Sequence, residues 1–336
     1  MLTVTLYIRG SCPECDQAKS YLAEIQLVTP HQLVVLNVDT DTVLQESFQA
    51  MVPLVKIGPY QLRWPFTKQD LQIAIGAAQD RATFYEQTGD AEYLKRLARG
   101  RKLSDADRFS SWFSHHYMLV FNLLVFIFVG LPFLAPVLMK VGATVPAKVI
   151  YTVYRPFCHE FAFRTWFLFG EQPYYPRQLA DIPGMLTYEQ VSGFSSYEVE
   201  PARDFVGNKT LGYKVAICQR DVAIYGSILL FGIVFSLFRK KIKAYPWAIF
   251  LWILIGIIPI AIDGFSQLPS LISTPLPAWM PYRESTPFLR TLTGALFGVM
   301  TAWYIYPVIE ETMRETRKLM AHKMAVVSQT VSQTRN

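Results

Sequence analysis

Four apolar blocks constrain the fold of this chain more than any other feature of its sequence. They cover residues 117–139, 222–238, 245–262 and 288–309. Each is close to the run of about 20 apolar residues that a helix needs to cross the hydrocarbon core of a bilayer, although the second and third lie at the lower edge of that range. The sequence therefore predicts an all-α membrane domain with four spans over residues 115–312, in contact with the lipid bilayer.

Clusters of basic residues orient these spans. One cluster precedes the first span, another separates the second from the third, and another follows the fourth: Lys95, Arg96, Arg99, Arg101 and Lys102; Arg239, Lys240, Lys241 and Lys243; Arg314, Arg317, Lys318 and Lys323. Lys and Arg concentrate in cytoplasmic loops, so we expect both termini in the cytoplasm and residues 140–221 and 263–287 outside. Since these clusters lie beside the apolar blocks, the net charge of +6 does not indicate nucleic-acid binding.

A Cys-Pro-Glu-Cys motif, Cys12 to Cys15, indicates redox chemistry near the N-terminus. It follows an apolar run over residues 2–8, typical of a strand, and precedes residues 16–27, whose apolar positions recur at helical spacing. A helix N-terminus favours an anion, so Cys12 should be an exposed and acidic thiol that acts as the nucleophile. Cys15, one turn later, should resolve the mixed disulfide.

Residues 1–80 predict a strand–helix–strand–helix–hairpin–helix order, which is an α/β thioredoxin-like domain. The motif Cys12–Cys15 together with Leu6-Tyr7, Asn37-Val38-Asp39 and Val52-Pro53-Leu54 resembles the glutaredoxin-like family. That resemblance implies a cis bond at Val52–Pro53, with Pro53 against the active-site disulfide. Two other interpretations of the cysteine pair stay open, half of a zinc site and a docking domain without redox activity.

Three further segments complete the expected domain organisation. Residues 81–114 predict an amphipathic linker at the membrane surface, and residues 313–336 predict a cytoplasmic tail that begins as a basic surface helix and frays. Residues 147–169 are apolar but contain charged side chains, and we interpret them as a re-entrant or interfacial helix. A fifth span there would place the C-terminal basic cluster outside, against the charge rule.

Polar residues collect at the outer ends of the expected spans, where ionisable groups are usually functional. The candidate metal ligands are Cys158, His159, Cys218, Asp221 and Asp263, and the expected supporting residues are Arg164, Arg220, Gln267, Arg283 and Glu284. Thiolate and imidazole ligands favour a transition metal such as zinc. The alternatives are a Cys158–Cys218 disulfide and a purely structural ion-pair network. In that network Arg220→Ala should destabilise more than a substitution at a surface arginine such as Arg317.

Several motifs over residues 150–306 resemble a family of predicted bacterial membrane proteins, domain of unknown function 2085. They are Cys158-His159, Cys218-x-Arg220-Asp221, Asp263-Gly264-x-x-Gln267, Arg283-Glu284-Ser285-Thr286 and Arg290-x-x-Thr293-Gly294. The resemblance implies a shared site made of these residues and a multi-pass protein of the bacterial inner membrane. A long insert, residues 172–213, departs from the family pattern and is expected to cap the site from outside.

Two functions follow from these features. The first is a membrane-bound thiol–disulfide oxidoreductase that exchanges thiols with a protein or a glutathione-like thiol. The alternative is a metal-binding or transport protein whose redox domain serves as an accessory or sensor. Electron transfer between the two cysteine pairs is disfavoured, because about 30 Å of hydrocarbon separates the two sides and spans one, three and four contain no cysteine.

Overall fold

The computed structural model describes residues 2–40, 42–100, 102–158, 160–239, 241–271 and 283–335, with the side chains of 96, 97, 271 and 330–335 left aside. The chain divides into two compact units. One unit combines Met1–His116 with Thr312–Asn336, and the other comprises Tyr117–Glu311.

The first unit contains a four-stranded mixed sheet. Its elements are β1 (Thr3–Ile8), α1 (Pro13–Val28), β2 (Gln32–Asn37), α2 (Thr42–Phe48), β3 (Leu54–Ile57), β4 (Tyr60–Arg63) and α3 (Lys68–Gln87). The strand order is β2-β1-β3-β4, in which β2 runs parallel to β1 and the other two pairs are antiparallel. This arrangement confirms the predicted α/β thioredoxin-like fold. The Val52–Pro53 bond is cis, as the resemblance implies, and so is Trp64–Pro65.

Local sequence explains the two long helices of this sheet. Helix α1 starts with Pro13 at its first position. A backbone N–H at this position makes no hydrogen bond within the helix, so proline is tolerated there. Helix α3 begins with a capping box, in which Thr67 and Asp70 satisfy each other's backbone N–H groups. Apolar residues of both helices pack on one face of the sheet, including Leu22 and Leu71, which are fully buried.

The other face of the sheet is covered by α2 and by the end of the last helix. Buried Tyr7, Leu36 and Leu44 form a cluster there with Ala321 and, at its margin, Val326. We expected a fraying surface helix after residue 312. This segment instead packs against the four-stranded sheet, and Arg317, expected to be a surface residue, is 8% exposed.

Helical segments occupy the expected linker. They are the last turns of α3, the helix α4 (Ala91–Gly100) and the first turns of the long helix α5 (Asp105–Lys140). Exposed apolar side chains such as Phe109 and Trp112 accompany the charged ones in these turns. The linker is therefore largely helical, as its periodicity predicts.

Four helices of the described residues are long and apolar enough to cross a membrane, which agrees with the predicted four spans. They are α5, α9 (Gln219–Phe238), α10 (Ala248–Phe265) and α11 (Pro287–Arg335). Helix α10 contains a π-helical stretch, Trp252–Ile257. Many apolar side chains of these helices are exposed, for example Leu230 and Phe250, as expected of residues that face lipid.

The segment between α5 and α9 forms its own small layer. Helix α6 (Thr144–Tyr154) has 11 residues, about 16 Å at 1.5 Å per residue, which is too short to span about 30 Å of hydrocarbon. Two short helices follow, α7 (Tyr188–Ser192) and α8 (Val199–Asp204). A three-stranded sheet of order β5-β7-β6 joins β5 (Thr165–Leu168), β6 (Gly207–Asn208) and β7 (Gly212–Cys218). No pattern in the sequence predicted this sheet.

Candidate functional sites

The Cys12–Cys15 pair lies at the start of α1. Cys12 is the N-cap of the helix, and its Sγ accepts a hydrogen bond from the Cys15 backbone N–H at 3.1 Å. The two residues form a disulfide with a Cα–Cα distance of 5.2 Å. The N–H group and the helix N-terminus would favour a thiolate on Cys12 after reduction, whereas the carboxylate of Glu14, 3.7 Å from the sulfur, opposes it.

Cys12 is less accessible than the sequence analysis expected. Its exposed fraction is 8%, whereas we expected an exposed thiol. Cys15 lies on the buried face of α1 with Ala18 and Leu22.

Pro53 lies at the same end of the sheet as this motif. Leu54 pairs with Tyr7 in the antiparallel register of β3 and β1. Strand β1 ends at Ile8, from which the chain runs directly to Cys12. This register places Pro53 beside the end of the strand that leads to the cysteines. Pro53 is also buried.

The second site lies in the other unit, where Cys158, Cys218 and Asp221 converge. One sulfur or carboxylate oxygen from each residue lies within 4.8 Å of the others. Cys218 is the N-cap of α9, and its thiol donates to Asp221 Oδ2 at 3.2 Å. Cys158 is buried, and its sulfur accepts the Cys218 N–H at 3.3 Å. Both cysteines are free thiols.

Electrostatics disfavour a charged Cys158 when no cation is bound. The thiol of Cys218 and burial together raise the pKa of Cys158 well above its usual range, and the charge of Asp221 adds to the effect. A metal ion would reverse this balance, because a coordinating thiol loses its proton. His159, the other expected ligand in this segment, lies outside the described residues.

A cavity of about 230 Å³ opens beside the two cysteines. It is lined by thiols, carboxylates, three arginines, an amide and two rings: Phe157, Cys158, Glu160, Phe161, Arg164, Cys218, Arg220, Asp221, Gln267 and Arg290. The expected supporting residues Arg164, Arg220 and Gln267 thus line the same cavity as the cysteines. A ligand of the cavity would meet both the thiols and the guanidinium groups.

Glu160 is a buried carboxylate in this lining. It is 1% exposed, and neither of its carboxylate oxygens has a hydrogen-bond partner among the described residues. Burial raises the pKa of Glu160 to about 7 although Lys214, whose Nζ lies 4.0 Å away, acts to lower it. Glu160 also has a positive φ of 51°, a backbone conformation that is strained for a residue other than glycine.

Glu160 is paired with Lys214, a residue that sequence reasoning missed. Lys214 is fully buried on β7, and its Nζ donates to the backbone carbonyl oxygens of Glu160 and Arg203. Burial lowers the pKa of Lys214 to about 8. Its position in an apolar strand-like run, Tyr213 to Cys218, is the only signal that the sequence offered.

Asp263 is not placed with the cysteines. Its carboxylate accepts hydrogen bonds from Arg220, from Arg283 at 3.1 Å and from the Ser285 hydroxyl at 3.0 Å. It therefore belongs to an arginine cluster next to the cavity, although the sequence analysis proposed it as a metal ligand. The cysteines and Asp221 form the compact ligand set without it.

Glu284 is the second centre of this arginine cluster. Arg164 donates two hydrogen bonds to it, at 2.9 and 3.0 Å, Arg177 donates a third at 3.0 Å, and Arg290 donates a fourth. Burial acts to raise the pKa of Glu284, but these arginines outweigh it and lower the pKa. Arg177 is in the insert and was not predicted, because nothing in its Pro- and Tyr-rich context indicates a buried charge.

Chain topology explains why these residues meet. Successive spans run in opposite directions, so the start of α9, the end of α10 and the start of α11 lie at one end of the helical unit. Arg220, Asp263 and Arg290 occupy these three positions. The segment between α5 and α9 adds Cys158 and Arg164 to them.

Comparisons with known proteins match both parts of the chain. Residues 3–76 match the family model described as a glutaredoxin-like domain, and residues 201–304 match that of the predicted membrane protein family, domain of unknown function 2085. The second match begins after Cys158. An uncharacterized protein of Methanocaldococcus jannaschii is 32% identical over 111 residues, which are 33% of this chain and 62% of that protein. No solved structure matches.

The thioredoxin-like strand order and the helical unit agree with these matches. The chain therefore combines a region similar to glutaredoxin-like domains with a region similar to the predicted membrane protein family, domain of unknown function 2085.

Proposed function

We propose that this protein is a membrane-bound thiol–disulfide oxidoreductase that acts through Cys12 and Cys15. The observation that carries the proposal is the position of Cys12, at the N-cap of α1 with the Cys15 N–H directed at its sulfur. This is the environment that makes a thiol acidic and reactive. The partner would be a protein disulfide or a glutathione-like thiol.

The exchange takes two steps from the reduced dithiol. The Cys12 thiolate attacks one sulfur of the substrate disulfide, the substrate S–S bond breaks, and the leaving thiolate takes up a proton. Cys15 then loses its proton and attacks Cys12 Sγ in the mixed disulfide, which releases the second substrate sulfur as a thiol. The substrate gains two electrons and the enzyme becomes the Cys12–Cys15 disulfide seen in the structure.

We propose that this chemistry occurs in the cytoplasm. The basic clusters around the spans favour that orientation. The grouping of Met1–His116 with Thr312–Asn336 supports a topology in which both ends lie on one side, as four spans require.

Monothiol variants of the full-length protein test the redox proposal. Cys12→Ser should abolish reduction of a model disulfide such as oxidised glutathione, and Cys15→Ser should accumulate a mixed disulfide that mass spectrometry detects. The matched control is Cys158→Ser/Cys218→Ser, which should retain the wild-type rate. Equal rates in wild type and Cys12→Ser would contradict the proposal.

A second candidate function is metal binding at Cys158, Cys218 and Asp221. The specific observation is the 4.8 Å grouping of two sulfurs and one carboxylate beside a cavity. Three protein ligands with an open position are typical of reactive zinc sites, and thiolate ligands also suit copper(I). In this case the glutaredoxin-like domain would serve as an accessory or sensor.

Metal analysis of the purified protein tests the second candidate. Wild type should carry close to one zinc, copper or iron ion per chain after purification without chelator, and Cys158→Ser/Cys218→Ser should carry none. Cys12→Ser/Cys15→Ser is the matched control and should keep the metal. Loss of metal from that control alone would assign the ion to the N-terminal motif and contradict this candidate.

A further inference from the structure

Beside the cysteines, a partly buried cluster of side chains holds more positive than negative charge. Its ion pairs join five arginines to two carboxylates: Arg164, Arg177, Arg220, Arg283 and Arg290 with Asp263 and Glu284. The five arginines exceed the two carboxylates by three positive charges. Asp221, which is hydrogen-bonded to the Cys218 thiol, lowers this excess to two. Glu160 and Lys214 balance each other.

The two carboxylates have little capacity left for these arginines. A carboxylate offers about four lone-pair positions, and Glu284 receives four guanidinium hydrogen bonds from Arg164, Arg177 and Arg290. Asp263 accepts from two arginines and from Ser285. Guanidinium donors therefore remain, and one of them, Arg220 Nε, is buried without a hydrogen-bond partner among the described residues.

Two of these five arginines are shielded from bulk solvent, whereas the side chains of Arg164 and Arg220 are 18% and 22% exposed. Arg290 is 3% exposed and Arg177 is 1% exposed. Burying an uncompensated charge is costly, so a counter-charge at this place would stabilise the folded protein. The cavity brings Arg164, Arg220 and Arg290 to a common space.

The size of this space limits the ligand. Its volume of about 230 Å³ falls below the roughly 300–1,000 Å³ of pockets that hold drug-sized molecules. It corresponds to several water molecules at about 30 Å³ each. An inorganic oxyanion or a short organic acid fits such a volume, whereas a peptide does not.

We propose that Arg164, Arg220 and Arg290 form a binding site for one small free oxyanion, a phosphate or a short-chain carboxylate. Guanidinium groups suit this chemistry because their planar fork donates paired hydrogen bonds to oxyanions. Gln267 lines the same cavity but supplies no donor, because its Nε2 donates to Asp263 and its Oε1 accepts from Arg290 at 3.0 Å. This inference goes beyond both activities proposed above and requires neither.

Equilibrium dialysis of the detergent-solubilised full chain with radiolabelled inorganic phosphate and with labelled acetate tests the proposal. One of the two should bind saturably at about one per chain. Arg220→Gln should weaken that binding about tenfold or more, the effect expected from loss of a charge-assisted hydrogen bond. The control Arg63→Gln, at an exposed position of the other unit, should bind as wild type does.

A second variant, Glu284→Gln, tests the same site through an expected increase in anion affinity, which does not depend on the folding of the arginine variants. Glu284→Gln removes one negative charge and frees guanidinium donors, so it should bind the anion more tightly than wild type. Glu171→Gln, a matched change at an exposed position, should have no effect. Absence of saturable phosphate and acetate binding in wild type, or unchanged binding in both Arg220→Gln and Glu284→Gln, would overturn the proposal.

Two further arms identify the source of the anion and separate this site from the metal candidate. In nanodiscs, phosphatidic acid should not compete with the free anion, and competition would assign the site to a lipid headgroup instead. Treatment of the wild-type protein with a metal chelator should leave anion binding unchanged. Loss of anion binding after chelation would make the anion a metal ligand and contradict an arginine site.

Discussion

The hydroxyl of Tyr7 is hydrogen-bonded to Nδ1 of His322 at 2.6 Å, and the two rings are stacked. Tyr7 is on β1, at the centre of the glutaredoxin-like sheet, and His322 is on α11, 315 residues later. Lys323 forms an ion pair with Asp107 at 2.7 Å in the same unit. The end of the chain is therefore part of the N-terminal unit, where it covers a sheet face that would otherwise expose apolar residues.

A charge placed in this contact should unfold it. Ala321 is 8% exposed and packs in the cluster of Tyr7 and Leu36. Ala321→Glu would bury an unpaired carboxylate, which costs several kcal/mol, so the last turns of α11 should detach from the sheet. Hydrogen exchange should then accelerate at least tenfold in β1 and β2.

The matched control for this change is Ala98→Glu on α4, where the side chain is exposed. It should leave exchange in the sheet unchanged, because surface substitutions typically alter stability by less than about 0.5 kcal/mol. Equal protection of β1 and β2 in wild type and Ala321→Glu would show that the tail contributes nothing to the stability of the sheet.

Close packing of two spans depends on Gly298. A Cβ at this position would collide with the Ile224 carbonyl and the Ser227 hydroxyl of α9. Small residues let membrane helices approach each other closely, so Gly298→Ala should force the helices apart and cost about 1–3 kcal/mol, as overpacking usually does. Thermal unfolding in detergent should show a lower midpoint than wild type.

Gly226 provides the control for this packing prediction. It lies on α9, and a Cβ there would have no heavy atom within 4 Å. Gly226→Ala should therefore match or slightly exceed the wild-type midpoint, since alanine favours a helix by about 1 kcal/mol over glycine. A lower midpoint for Gly226→Ala than for Gly298→Ala would contradict the helix contact.

Asp221 and Asp263 should differ in their effect on metal. Asp221 is grouped with the cysteines, so Asp221→Asn should weaken zinc binding about tenfold or more in competition with a chromophoric chelator, at least the loss typical of a supporting residue. Asp263→Asn should keep zinc affinity but lower stability, because Arg220 and Arg283 lose their counter-charge. Weaker zinc binding in Asp263→Asn with unchanged zinc binding in Asp221→Asn would instead identify Asp263 as the metal ligand.

Local patterns in the sequence predicted the parts of this fold that depend on neighbouring residues. The Cys12–Cys15 motif lies between an apolar run and a helical period, and the four apolar blocks match the candidate spans closely. The alternating direction of the spans brings Arg220, Asp263 and Arg290 to one end of the helical unit. Cys158 instead reaches Cys218 through the segment between α5 and α9, where Thr165 of β5 pairs with Cys218.

Contacts between distant segments account for what was missed. The burial of Arg317 follows from its hydrogen bond to the Ser114 carbonyl, 203 residues away. Arg177 and Lys214 are buried by partners in other segments, Glu284 and Glu160. No periodicity of a single sequence encodes such pairs, so these positions looked like ordinary solvent-facing charges.

The orientation of the spans gives the final prediction. Lys209 is exposed between β6 and β7, and Lys241 is exposed after α9. The positive-inside rule places Lys241, with its basic neighbours, in the cytoplasm and therefore Lys209 outside. In a background with the four native cysteines changed to serine, Lys209→Cys should react with a membrane-impermeant maleimide in intact cells, and Lys241→Cys should react only after permeabilisation. The opposite pattern would place the glutaredoxin-like domain outside, and equal labelling of both sites in intact cells would contradict an α9 that crosses the membrane.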